Sequence, residues 1–326
     1  MTVDFLELLN TAPLDGDGTA ADTIGSSEAG SSVIDAGGTV DAIDERVRRV
    51  LFECLFSGLS DERVASLFRV IGWPDGFDCY AIAGYPAQSA IRCRTDIERI
   101  VTDFAGNCLT AEYAMPINGG IGAERMTRAQ TDDSRQPSAD QPHTGQTTAD
   151  QTVIVALVRP VGAATPEVIC NSVAVAFDGN RPLALGPTLA GADGARQSIS
   201  TALFCLKAAP ALTATVQQLP RPLRAMDALP ERALIGDTSA RDELVNVVYG
   251  SLAAAGSDDP TLTTVSTFLK FGGSLEACAK ALNVHPNTIR YRLKRAAETT
   301  GWDATDPREA YVLTCAIALG HIQSAH

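Results

Sequence analysis

From Glu45 to Gly58, apolar residues recur at three- and four-residue steps. Val47, Val50, Leu51, Cys54 and Leu55 then share one face of a helix. A second helix is predicted over Asp61 to Ile71, with Val64, Leu67, Phe68 and Ile71 inward, and Gly72-Trp73-Pro74 breaks it. Phe77 to Ala83 reads as a strand, Asp96 to Phe104 as a helix and Leu109 to Tyr113 as a short strand. Thr152 to Val158 is a near-continuous β-branched run, the mark of a central strand buried on both faces. Pro166 to Phe177 follows as a helix, Leu183 to Gly186 as a strand and Ala195 to Ala208 as a helix. The order β-α-β-β-α-β-α predicts an α+β sandwich, one sheet with helices against it.

Two stretches lack this patterning. Thr11 to Gly38 is Gly, Ser, Ala, Thr and Asp with few large apolar residues. Such a tract buries too little surface to offset chain entropy and is expected to be disordered, with order beginning between Val40 and Glu45. Ahead of it, Val3, Phe5, Leu6, Leu8 and Leu9 form an apolar cluster suited to a small docking helix. Pro116 to Gln151 holds three prolines and no aromatic residue, and it falls where a hairpin turn would join two strands. It reads as a disordered insertion at a tolerated loop tip. The expected domains are therefore an acidic tail over 1–44, an α+β domain over 45–210 and a linker with a helical connector over 211–258. A helical domain follows over 259–323. In the connector, Asp242 to Leu252 reads as a helix with Leu244, Val247, Val248 and Leu252 inward.

Composition adds limits. Apolar residues make up 45 % of the 326, enough for real cores. The longest unbroken apolar run, Val153 to Val158, has six residues, far below the ~18 of a bilayer span. No Lys or Arg precedes Arg46, so a secretory signal is not expected. Eight cysteines form no CxxC pair and sit in apolar surroundings, as buried thiols do in a reducing cytoplasm. The four histidines supply no clustered metal ligands. Asp78 stands without an acidic partner and suits a turn or cap. Gly119-Gly120 is followed by Ile121 rather than an acid, so the paired carboxylates of a nucleotide cyclase are missing. No catalytic residue, metal ligand or cofactor is expected.

Charge points elsewhere. The net charge of −13 disfavours nucleic acid, yet residues 262–301 carry six bases against two acids. This basic island lies on three predicted helices. Asp259 and Pro260 open the first, whose apolar face is Leu262, Val265, Phe268 and Leu269. Gly272-Gly273 ends it, and Ser274 caps the second, with Leu275, Cys278, Ala279 and Leu282 inward. Asn283 tolerates the left-handed geometry of a tight turn, Val284 fills the corner, and His285-Pro286 opens the third helix. There Ile289, Leu293 and Ala297 repeat at four-residue steps. The pattern is a helix-turn-helix, whose second helix enters the major groove with its first turns on base edges. Candidate DNA contacts are His285, Asn287, Thr288, Arg290, Tyr291, Arg292, Lys294 and Arg295. Asn pairs with adenine edges and Arg with guanine, while Arg292, Lys294 and Arg295 suit phosphates. Asp306 and Glu309 fit a capping box around Pro307.

The stretch Gly272 to Leu293, with Asn287-Thr288-Ile289-Arg290-Tyr291-Arg292-Leu293 at its heart, resembles the C-terminal helix-turn-helix of PucR/CdaR-type bacterial transcription regulators. The likeness continues through Thr300-Gly301 and Asp306-Pro307 to Leu319. Members of that family often carry Arg where this chain has Pro286, so one phosphate or base contact lacks its residue here. The middle of the chain resembles the degenerate GGDEF-like domain of the same family, through Leu185-Gly186-Pro187 and Gly194-Ala195-Arg196-Gln197-Ser198. The resemblance implies a GGDEF-like α/β sandwich followed by an all-α helix-turn-helix domain. It implies a sequence-specific regulator, with shorter members that control fatty-acid synthesis genes as the nearest analogy. Expected partners are double-stranded DNA, a second copy of the chain and a small-molecule effector, with no membrane. Two other readings stand beside it: a nucleotide-binding GGDEF-like protein, and an adaptor that docks its basic helix on an acidic partner.

Overall fold

The computed structural model describes residues 36–115, 151–253 and 260–324. The docking helix, the Asp259 cap, Gly119-Gly120 and nearly all of both tracts expected to be disordered lie outside them. The first helix, α1 (Ala36–Phe56), begins four residues before Val40, so the boundary expected at 44 falls inside it. Asp61 caps α2 (Glu62–Val70) by accepting from the Arg63 and Val64 amides. Then come β1 (Asp78–Gly84), α3 (Ala90–Asp103), β2 (Asn107–Met115), β3 (Gln151–Arg159) and α4 (Pro166–Val173). After α4 the chain tightens into a 3₁₀ turn over Ala174–Ala176, so the helix expected to Phe177 ends early. The strands β4 (Leu183–Leu185) and β5 (Leu189–Ala190) lead into α5 (Gly191–Leu212). The expected β-α-β-β-α-β-α order is observed with one addition, the two-residue β5 between β4 and α5.

Asp78 opens β1 opposite Ala190, so it is a strand residue rather than a turn or cap. The helix expected from Asp96 starts six residues earlier, where the Ser89 hydroxyl accepts from the Arg92 amide. That first turn carries little apolar signal, because Ile91 faces solvent and only Ala90 and Cys93 meet the core.

The sheet order is β2-β3-β1-β4-β6, with β6 (Leu223–Arg224) parallel to β4 and β5 paired to β1. The run Thr152 to Val158 lies in β3, between β1 and β2. Its alternate residues enter two different cores. Val153, Val155 and Leu157 join Cys79, Ala81 and Ala83 against α1, α2 and α5. Ile154, Ala156 and Val158 join Tyr80 and Ile82 against α3 and α4. Strand β6 comes from the stretch read as linker, and Leu223 is buried in the first of these cores.

The resemblance motifs in this part are packing devices. The Ser198 hydroxyl on α5 accepts from the Ala81 amide at 2.8 Å and donates to the Pro187 carbonyl at 2.7 Å. A Cβ on Gly186 would stand 2.4 Å from the Ser198 carbonyl oxygen, so only glycine lets helix and sheet close at this seam.

The β2/β3 ladder runs without a break to Met115 opposite Gln151, which makes Gln151 a strand residue rather than part of the insertion. Replacing residues 116–150 with a short Gly-Ser turn should therefore leave the melting temperature almost unchanged. Loop closure changes by only ~0.6 kcal/mol per doubling of length. A loss of several kcal/mol in a urea titration would show that the segment packs on the domain.

Beyond the sheet the chain is helical: α6 (Leu229–Leu234), α7 (Thr238–Asp242), a π-helical turn over Glu243–Tyr249, and α8 (Gly250–Ala253). Leu244, Val248 and Leu252 are buried as expected, but Val247 is 49 % exposed. The wider π winding keeps four-residue neighbours on one face and swings the three-residue neighbour out to water. No helix among the described residues is long and apolar enough to cross a membrane.

Candidate nucleic-acid interface

The basic island folds as α9 (Pro260–Lys270), α10 (Leu275–Leu282) and α11 (Pro286–Thr300), followed by α12 (Pro307–Ser324). One core joins them, built on Val265, Phe268, Cys278, Ile289, Leu293 and Leu313. Leu262, Leu269, Leu275, Leu282 and Val284 pack half-buried at its edge.

The turn between α10 and α11 sets the angle of the pair. Ser274 caps α10 by accepting from the Ala277 amide at 3.2 Å. Asn283 takes the left-handed conformation, φ 52° and ψ 45°. Its amide donates to the Lys280 carbonyl, and the Val284 amide donates to the Ala279 carbonyl. These two bonds make a Schellman ending, with Val284 against the core as its apolar contact. His285 then caps α11, its Nδ1 accepting from the Asn287 amide at 3.2 Å, and Pro286 occupies the first helical position.

On α11 the buried residues are Ile289, Leu293 and Ala296, not Ala297. Eight residues overshoot two helical turns by about 80°, whereas seven fall only about 20° short, so the face keeps Ala296 and leaves Ala297 at its margin. Asn287, Arg290, Tyr291, Lys294 and Arg295 form an exposed stripe along the other side, with Tyr291 68 % exposed. Arg290 Nη1 donates to Asn287 Oδ1 at 2.7 Å, which orders the two side chains together on the first turn. Lys294 pairs with Glu298 at 3.8 Å, a solvated contact of little energy.

Three of the candidate residues sit elsewhere. Thr288 is half-buried. His285 is occupied as the cap. Arg292 turns inward, and its Nη1 donates to the hydroxyl of the buried Thr264 on α9 at 3.3 Å. Burial pushes the neighbouring Cys278 thiol up, and the Arg292 charge opposes that shift.

A brace that sequence spacing did not reveal holds this unit. Arg308 on α12 makes two 2.6 Å bonds to the buried Glu231 carboxylate of α6 and one of 2.8 Å to the Asp227 carbonyl. Arg232, the next residue of α6, bonds Asp237 at 2.6 Å and reaches Thr201 of α5 at 3.4 Å. Nothing in the sequence links positions 231 and 308. Asp306 caps α12 through the Arg308 and Glu309 amides, while Glu309 reaches back to the Asp303 amide rather than to that of Asp306, so the box closes one turn wider than expected. Among the described residues no three His, Cys, Asp or Glu side chains could hold a metal ion.

Residues 261–319 match the family model of the PucR C-terminal helix-turn-helix domain. The chain is similar to a solved structure described as a regulator of polyketide synthase expression from Bifidobacterium adolescentis. Identity is 39 %, the TM-score is 0.73, and 99 % of each chain is covered. It is also 38 % identical over 208 residues to uncharacterized proteins of Mycobacterium tuberculosis and Mycobacterium bovis, a match covering 64 % of this chain and 48 % of theirs. The chain thus spans about half the length of these curated relatives. With a full-length structural relative at this identity and the helix-turn-helix matched at its C-terminus, the chain belongs to the PucR/CdaR-type transcription regulators.

Proposed function

We propose that this chain binds double-stranded DNA sequence-specifically through α11 and so regulates transcription. The observation that supports this most is the exposed stripe of Asn287, Arg290, Tyr291, Lys294 and Arg295, which starts one residue past a capped helix opening. Asn287 and Arg290 occupy the first turns, where base edges are read. Lys294 and Arg295 lie further along and supply charge for phosphates. A single helix-turn-helix reads only a few base pairs, so the working species is a symmetric dimer or higher oligomer on repeated half-sites. The Bifidobacterium neighbour is described as regulating polyketide synthase expression. By that likeness, and by analogy with regulators of fatty-acid synthesis genes, the targets are genes of acyl-chain metabolism, an assignment resting on analogy.

A mobility shift on genomic fragments, repeated across salt, tests the reading. Selective retention of a few fragments, persisting at salt that abolishes random-DNA binding, is the expected result. Binding to an acidic protein partner with no DNA retained at low salt would replace the regulator with the adaptor.

A further inference from the structure

A cleft of about 390 Å³ opens at the end of β1, lined by residues between Tyr85 and Arg221. Its walls include Leu206 and Ala209 of α5, Leu219 and Pro220 of the segment before β6, and Tyr85 after β1. Two arginines stand in it, Arg181 and Arg221, and among the described residues no acid lines it. On a chain of net charge −13 that is a local reversal of sign. The Arg181 guanidinium lies over the Tyr85 ring, 3.1 Å from its centroid, and donates to Gln151. Arg221 donates to the Arg181 carbonyl. Each guanidinium carries five N–H donors, and one of each is used in these bonds. Both side chains are half-buried, where charge-assisted bonds are stronger than in open water.

We propose that this cleft binds a small amphiphilic anion, a carboxylate or phosphate head on a short hydrocarbon body. The head meets Arg181 and Arg221, and the body lies on Leu206, Ala209 and Leu219. The volume falls within the range of small-ligand sites, and apolar walls with a few convergent polar groups are their usual make-up. The site also has a route to the helix-turn-helix. Arg221 is two residues before β6, and the Arg224 amide at the end of β6 donates to the Asp227 carboxylate. The Asp227 carbonyl accepts from Arg308 of α12. A ligand that repositions Arg221 acts on a segment that carries the brace. Binding itself stands apart from the regulator reading; only its effect on DNA rests on that reading.

The test is calorimetry on the full chain without DNA, with octanoate, octyl phosphate, octylamine and inorganic phosphate as probes. Saturable binding of octanoate or octyl phosphate, with no octylamine binding, is expected, and the preferred head identifies the ligand class. Arg221→Gln should weaken it about tenfold or more, the scale of one lost charge-assisted bond. Thr213→Trp, at the exposed rim, should block it without changing the melting temperature. The proposal is overturned if no anionic amphiphile binds, if octylamine binds equally well, or if Thr213→Trp binds like the parent. Binding of inorganic phosphate as tightly as octyl phosphate would also overturn it, since the apolar walls would then contribute nothing. A shift in the DNA mobility assay on adding the tighter probe is read separately.

Discussion

Arg232→Ala should lower the unfolding free energy by about 3–5 kcal/mol in a urea titration. The side chains of Arg232 and Asp237 are only 3 % and 4 % exposed. Two bonds join them, at 2.6 and 2.8 Å, and Arg232 also donates to the Ala225 carbonyl at 2.9 Å. Asp237 caps α7 through the Ser239 and Ala240 amides. Attraction within such a pair roughly offsets the cost of drying both ions, so the pair itself adds little. Truncating Arg232 is different, because it strands the Asp237 carboxylate in the same dry site. The double variant Arg232→Met with Asp237→Asn should therefore be more stable than Arg232→Ala alone. A loss below about 1 kcal/mol for Arg232→Ala would mean that water reaches the site and that α5 and α6 are loosely joined.

Arg308→Ala should cost about 3 kcal/mol by the same logic. Its partner Glu231 is 3 % exposed, while Arg308 is 22 % exposed and partly screened, which places the loss at the low end. The guanidinium fork also holds the Asp227 carbonyl, a geometry that an ammonium cannot match. Arg308→Lys should accordingly recover only part of the loss. Hydrogen exchange should report where the damage falls: faster in α12 and α6, unchanged in the β1/β3 ladder. Uniform acceleration across the sheet would show that the two units unfold as one.

The apolar run at 153–158 announced a central strand because a strand covered on both faces has no polar side to show. The helix-turn-helix was legible for a related reason: Ser274, Asn283 and Pro286 are local devices whose effect spans three or four residues. Misreadings arose where geometry departs from the ideal period or where partners lie far apart in sequence. Apolar spacing places Val247 inward because a π turn leaves no mark on that spacing. Strand β6 has two residues and no periodicity to read. Arg292 looks like its basic neighbours on α11, and its bond to Thr264 on another helix leaves no mark along the chain. The Glu231–Arg308 pair belongs to the same class, since its partners lie on two helices far apart along the chain.

The central claim is that α11 reads bases with its first turns and holds phosphates further along. Its most direct test compares Arg290→Ala with Arg295→Ala by fluorescence anisotropy, on a retained genomic site and on random DNA, across salt. Arg290 lies in the first turns beside Asn287, while Arg295 is about two turns from it. Arg290→Ala should cost about 1–3 kcal/mol on the retained site and much less on random DNA. Arg295→Ala should weaken both alike and reduce the salt slope by about one. Melting should be unchanged in both, since the Arg290 partner is Asn287 on the same exposed face. Lowered melting for Arg290→Ala, with equal losses on both DNAs, would contradict the account and make Arg290 a structural residue.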